Sequence, residues 1–170
     1  MIDTINIQNQ DTSQFNKLSN NFKFDYKIDD VVWSSPSNYI YANMFWDDEF
    51  KTILNNQQDP LLIEETYKQL IDKFKYTIIS KATSEAIFNK IDTNIEFKNE
   101  LFRINQEKIV YRGSGKMLGS GIDNSGKNIY GDLLIQIRNN IIRDMNEKNA
   151  HLNVDKIYKL YLVYKLLSEQ

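Results

Sequence analysis

The chain of 170 residues has no cysteine, one histidine, two prolines and six glycines. Without cysteine there are no disulfides and no thiol chemistry, which suits a reducing compartment. With His151 as the only histidine, a metal site with two or more histidine ligands is excluded. A Ser-His-Asp arrangement is likewise unsupported, because His151 lies in a polar break near the C-terminus. Excess charge is also missing. The net charge of −2 offers no overall basic surface to nucleic acid. No apolar run reaches membrane-spanning length, and the first residues lack the basic head and apolar body of a signal peptide. The expectation is an intracellular, cytoplasmic protein with no membrane partner and no cofactor.

What is present is skewed. Lysine outnumbers arginine 17 to 4, and there are 22 isoleucines and 20 asparagines against 4 alanines. That bias is the mark of an AT-rich genome, as in certain large DNA viruses, parasites or low-GC bacteria. Hydrophobic residues make up 41%, enough for one core in one domain.

All six glycines fall in one stretch, from Tyr111 to Arg138. Clustered glycines let a backbone turn sharply and approach another group closely. Behind them Ile129, Tyr130, Leu133, Leu134, Ile137 and Ile141 recur at helical spacing, with Asn124 or Ser125 as the expected cap. A glycine loop feeding a helix N-terminus suits an anion; it equally suits plain packing. Gly121 to Asn128 nearly fits the phosphate-loop pattern GxxxxGK[ST], but Asn128 lacks the magnesium-binding hydroxyl and no buried strand directly precedes Gly121. The alternating strand–helix pattern of a dinucleotide fold is absent too.

Along the chain, residues 1–16 read as one edge strand or a loose end. Phe22, Phe24 and Tyr26, then Ile28, Val31 and Val32 across a turn at Asp29–Asp30, predict a small hairpin. Ser34 or Ser35 before Pro36 predicts a helix start. That helix is expected to run through Leu54, with Asp47, Asp48 and Glu49 in its middle as a solvated face. A long helix is expected from Leu61 to about Lys81, a short one over Ser84–Lys90 and another over Asn94–Arg103. Ile109 to Tyr111 reads as a short strand. A last helix, Val154–Leu167, is apolar nearly all round, so it inserts into the core or meets another protein.

Two distant stretches then align with one family. Leu18-Ser19-Asn20-Asn21-Phe22 and Trp33-Ser34-Ser35-Pro36-Ser37-Asn38-Tyr39, with Ala42, resemble LSNF, a hairpin, WxSVEHY and a helix alanine. Leu118-Gly119-Ser120-Gly121, Asp123, Gly126-Lys127-Asn128, Gly131, Leu133, Leu134, Ile137 and Arg138 resemble WGxGxDGxGxNxxGxLLMxIR. Phe97, Asn99 and Leu101 resemble the helix between them. The family is the YbiA-like, or NADAR, superfamily, and the resemblance covers about Leu18 to Arg143. Variants with leucine for the second motif's tryptophan occur in large DNA viruses.

The resemblance implies a helix-rich α+β fold: an N-terminal extension (1–17), a YbiA-like domain (18–145) and a C-terminal helix (146–170). It also implies a cleft for an ADP-ribose-like or ribose-phosphate ligand, built on Asn20, Phe22, Trp33, Ser37, Tyr39, Gly119, Gly121, Asn128 and Gly131. Active members cleave N-glycosidic bonds, on riboflavin-pathway intermediates or ADP-ribosylated guanine. Here the family's glutamate falls on Ser37, its histidine on Asn38, its later acid near Gly115 or Lys116, and its tryptophan on Leu118. A serine cannot replace a carboxylate as base or charge stabiliser. Asp123 and Asp48 are the acids that could compensate. The resemblance therefore implies a catalytically degenerate interaction or assembly subunit that keeps the cleft. The alternative is an N-glycosidase with relocated acids.

Overall fold

The computed structural model describes residues 4–7, 15–45, 47–57, 59–71, 73–113, 115–121 and 123–146. The helix expected over Val154–Leu167 lies outside these residues. The chain divides into two units, Met1–Ile135 and Gln136–Gln170. Of the second unit the described part is the continuation of one helix, in which Ile137, Arg138 and Ile141 are buried.

The architecture is α+β. Strand β1 (Thr4–Ile7) pairs in parallel with β4 (Lys108–Tyr111), Thr4 opposite Lys108 and Ile7 opposite Tyr111. Ile5 and Ile7 of β1 point inward and alternate with exposed Thr4 and Asn6, as the two-residue strand period requires. The N-terminal segment thus supplies a strand. Strands β2 (Tyr26–Ile28) and β3 (Val31–Trp33) form the expected hairpin. Asp29 and Asp30 turn it with φ of 50° and 64°, a left-handed pair that aspartate tolerates and that matches strand twist. The strand starts later than the alternation of aromatics predicts. Phe22 lies outside it, and Phe24 joins by a single bond to the Ser34 carbonyl, 3.1 Å.

Helix α1 (Pro36–Ala42) begins where serine and proline predict. Ser35 Oγ accepts the Asn38 N–H at 3.3 Å, and Pro36 opens the first turn. All seven of its residues are buried, and it packs on α2 (Asp48–Asn56), α3 (Pro60–Ile71) and α4 (Tyr76–Thr93). The single long helix expected from Pro36 to Leu54 is in fact two. Asp47 caps α2 by accepting the Phe50 N–H at 2.8 Å, and Asp48 and Glu49 occupy its first turn. The three acids therefore sit at a helix start, where the N-terminal dipole favours them, not in its middle. Phe45 fills the break and packs edge-on against Phe50 and Phe74, with centroids 4.4 and 5.6 Å away.

The helix expected over Leu61–Lys81 also divides. α3 stops at Ile71, and α4 absorbs the segment expected as a separate Ser84–Lys90 helix. Thr83 and Ser84 do not start a helix because their hydroxyls bond back to the Ile79 and Ser80 carbonyls, four residues earlier. α5 (Ile95–Arg103) agrees with expectation: Asn94 caps it at the Phe97 N–H, 2.8 Å, and Phe97 and Leu101 are buried. α6 (Ile129–Asn146) starts several residues after the predicted caps Asn124 and Ser125.

Candidate functional site

The glycine stretch folds back on itself. The N–H groups of Gly126, Lys127, Asn128, Ile129 and Tyr130 donate to the carbonyls of Ser120, Lys116, Gly119, Met117 and Leu118, at 2.6 to 3.1 Å. These are the amides that an anion at the α6 N-terminus would use, and backbone carbonyls already hold them. Of the two readings of this stretch, these bonds favour plain packing. The glycines allow close approach instead. A Cβ on Gly119 would stand 2.9 Å from the Gly113 backbone and the Tyr111 carbonyl. Gly131 lies against the Ile109 carbonyl, and Gly121 has a φ of +66°.

Asn128 ties this loop to β4. Its Oδ1 accepts the Tyr111 N–H at 2.8 Å, and its Nδ2 donates to the Ile109 carbonyl at 2.8 Å and to Asp132 at 2.9 Å. Asn38, in the first turn of α1, is similarly occupied. Its Nδ2 donates to the Leu54 and Gln57 carbonyls and so anchors the end of α2.

The two candidate acids lie on the surface. Asp48 is exposed, and its carboxylate pairs with Lys51 at 3.0 Å. Asp123 is exposed and accepts from the Ser125 hydroxyl at 2.8 Å and from Lys116 Nζ at 3.1 Å. The Ser125 hydroxyl, then Lys116, then the Ser125 N–H hold its carboxyl well below the usual carboxylate range.

A different carboxylate stands near Ser37. Ser37 is fully buried in the first turn of α1. Its hydroxyl accepts from Asn20 Nδ2 at 2.7 Å and donates to Asn21 Oδ1. Asn21 Nδ2 then donates to Glu64 Oε2 at 2.5 Å. Glu64 is fully buried on α3 and accepts a second bond from the Tyr111 hydroxyl at 3.1 Å. Burial, reinforced by the Glu64 charge, pushes the Tyr111 hydroxyl well above the ordinary tyrosine range. Gly113 closes the far side, where an added Cβ would stand 2.8 Å from Glu64 Oε1.

Sequence reasoning missed Glu64 and Asn21. A signal for Glu64 existed: Pro60, Glu64 and Ile71 share one buried helical stripe, so an acid occupied a core position. Asn21 is the additional asparagine in LSNNF.

A third missed residue holds the turn that carries both asparagines. Lys90 is fully buried on α4, and its ammonium donates to the Lys17 and Ser19 carbonyls at 2.7 and 3.0 Å. It also faces the rings of Phe97, Phe24 and Phe22 at 4.4, 5.3 and 5.6 Å. Burial pushes this ammonium well below the usual lysine range, with the Glu100 charge opposing. Phe22 therefore serves as one wall around a cation. The Ser37 N–H donates to the Asn20 carbonyl at 3.1 Å, so main chain as well as side chain joins this turn to α1.

Trp33 and Tyr39 meet edge to face, with centroids 5.4 Å apart, and the Tyr39 hydroxyl donates to Glu85 at 2.6 Å. Three buried polar atoms in these motifs, Asn20 Oδ1, Trp33 Nε1 and Ser34 Oγ, have no hydrogen-bond partner among the described residues. Such atoms cost free energy until something bonds them. Among the described residues no group of three or more His, Asp or Glu side chains could hold a metal, and no helix is long and apolar enough to cross a membrane.

No family model matches the chain. It is 27% identical to the uncharacterized protein 155L of Invertebrate iridescent virus 6, over 165 residues, with 96% of this chain and 65% of that protein covered. It is 28% identical to the uncharacterized protein 113L of Invertebrate iridescent virus 3, over 156 residues, with 92% of this chain but 19% of that protein covered. The chain thus spans only part of each curated viral relative. Among solved structures, the NMR structure of the E. coli protein YbiA superposes with a TM-score of 0.69 at 21% identity, over 90% of this chain and 94% of that one.

Proposed function

We propose that this chain, which has the YbiA fold, is a catalytically degenerate member of that group. It acts as a non-catalytic interaction or assembly subunit that keeps a site for an ADP-ribose-like or ribose-phosphate ligand. One observation carries the reading. The position that aligns with the family's glutamate is Ser37, buried and hydrogen-bonded on both sides by asparagines. N-glycosidic cleavage needs a carboxylate beside the sugar, to activate water or to offset the positive charge that develops on the ribose. The surface acids Asp48 and Asp123 do not join this cluster. Recognition needs no such carboxylate, and the chain superposes on the YbiA structure over 90% of its length.

One observation favours the alternative, an active N-glycosidase. Glu64 lies a single side-chain amide away from Ser37. In that reading water adds to the anomeric carbon, the C–N bond breaks, and the base leaves with a proton. Against it, the Glu64 carboxylate is buried and already accepts from Asn21 and Tyr111.

The test is direct. The purified chain is titrated with ADP-ribose by calorimetry and incubated with an ADP-ribosylated guanine. Saturable binding without release of free guanine is the expected result. Release of base that Glu64→Gln abolishes would establish the enzyme instead.

A further inference from the structure

Helix α5 packs on α4 and on the short turn Asn16–Leu18, and it buries Phe97 and Leu101. The helical period then puts Ile95, Asn99 and Phe102 on its outward side. Ile95 is 65% exposed, the most of any large apolar residue among the described residues. Asn99 is exposed and Phe102 half-buried. Apolar residues scattered singly on a surface need no partner. Charge is what singles this face out.

Glu96 and Arg103 lie along one flank of that outward stripe, about two helical turns apart. Glu96 pairs with Lys17 at 2.8 Å, yet 62% of its side chain stays in solvent. Arg103 is exposed and has no ion pair among the described residues. With Lys17, Asn99 and Glu100 they border a hollow of about 270 Å³.

This order of charges is complementary to itself only when reversed. A second α5 laid alongside in the same direction sets Glu96 against Glu96 and Arg103 against Arg103. Laid antiparallel about a two-fold axis at Asn99, it sets each Glu96 against Arg103 of the second copy. Ile95 then meets Phe102 of the second copy. The two Asn99 amides, each with donors and an acceptor, meet at the axis. Each hollow receives the other copy's guanidinium beside Glu96 and Glu100.

We propose that the outward face of α5 is a docking surface for a second copy of this chain, antiparallel about Asn99. A partner of a single charge sign would set a like charge against either Glu96 or Arg103. A reversed copy opposes both with the opposite sign. One helix of nine residues buries little area, so the contact is a transient one. It goes beyond the ligand reading above and does not depend on it, because none of these residues belongs to the Ser37–Glu64 cluster.

Sedimentation equilibrium on the full chain, from about 10 µM to about 1 mM, reads the association. The wild type should pass from monomer toward dimer across that range, and a chain that stays monomeric throughout overturns the proposal. Glu96→Arg and Arg103→Glu each set like charges together at both ends of the contact. Each should weaken the dimer at least about tenfold. They move the net charge of −2 in opposite directions, so a general charge effect cannot weaken both. Mixed in equal amounts, the two variants should associate at least as tightly as wild type. The double variant, which keeps the net charge, should recover the wild-type affinity. Unchanged dimers in the single variants, or a mixture no tighter than either alone, overturn the proposal. Lys98, exposed on the opposite flank, would meet its own copy near the axis. Lys98→Gln should therefore tighten the dimer, and weakening would overturn the antiparallel register. If a charge-reversed variant does not fold, Glu96→Gln and Arg103→Gln replace the pair. Each should weaken the dimer, and no change in either overturns the contact.

Discussion

Two carboxylates in this chain make opposite cases. Asp123 sits in the loudest stretch of the sequence, among all six glycines, and its side chain is 58% exposed, held by Ser125 and Lys116. Glu64 sits in an ordinary-looking helix and is fully buried, held by Asn21 and Tyr111. The glycine stretch spends its polar groups on backbone-to-backbone bonds, five successive amides on five carbonyls. The Glu64 cluster spends them on side chain-to-side chain bonds, the scarcest class in folded proteins. The first pattern builds a fold. The second builds a specific place. Motif density marked the one, and burial marks the other.

The harshest way to break the contrast is to put an acid at position 37. Ser37→Glu puts a second carboxylate one amide from Glu64, inside a fully buried site. A like charge without a partner there should cost about 4 kcal/mol in urea unfolding. The double variant Ser37→Glu with Glu64→Gln should recover part of that loss. If the single variant is as stable as wild type, the site is wetter and looser than the geometry says.

Next comes Glu64→Ala. It removes the acceptor shared by the Asn21 amide and the Tyr111 hydroxyl, both buried, and should cost about 3 kcal/mol in the same measurement. On the glycine side the corresponding test is Gly119→Ala. Its Cβ would stand 2.9 Å from backbone atoms that cannot swing aside, so the loop must shift, at about 2 kcal/mol. Ligand affinity is the discriminating readout. Ser37→Glu should abolish ribose-phosphate binding in whatever fraction of the protein still folds.

Much of the fold was legible because local chemistry and tertiary packing agreed. Ser35 with Pro36, Asn94 before α5, and Asp29–Asp30 between two apolar runs each name their own structure. The errors arose where packing overruled periodicity. The apolar spacing runs on from Tyr39 to Leu54, but Phe45, Phe50, Tyr67 and Phe74 gather into one aromatic cluster that needs the chain to turn at Asp47. The α6 cap was misplaced because the amides of Gly126 to Asn128 close a loop, which residue type alone does not reveal. The buried polar cluster was half legible. Asn20, Trp33 and Ser37 came from the motif, whereas Glu64 and Lys90 come from helices whose polar residues look solvated until the buried face is known.

The gentlest test sharpens the contrast from its exposed side. Asp123→Asn removes a surface ion pair that solvent screens, so its melting temperature should stay within about 1 °C of wild type at neutral pH. The sign of the pH dependence is fixed. The folded-state carboxyl titrates below the ordinary value of 3.8, so any stability it gives is present above that pH and fades as the pH falls through and below it. The small gap between wild type and Asp123→Asn should therefore close under acid. It should also shrink in about 1 M salt, where screening acts over about 3 Å. A large gap that persists in salt, or a loss of ribose-phosphate binding in Asp123→Asn, would place Asp123 with Glu64 and erase the contrast between them.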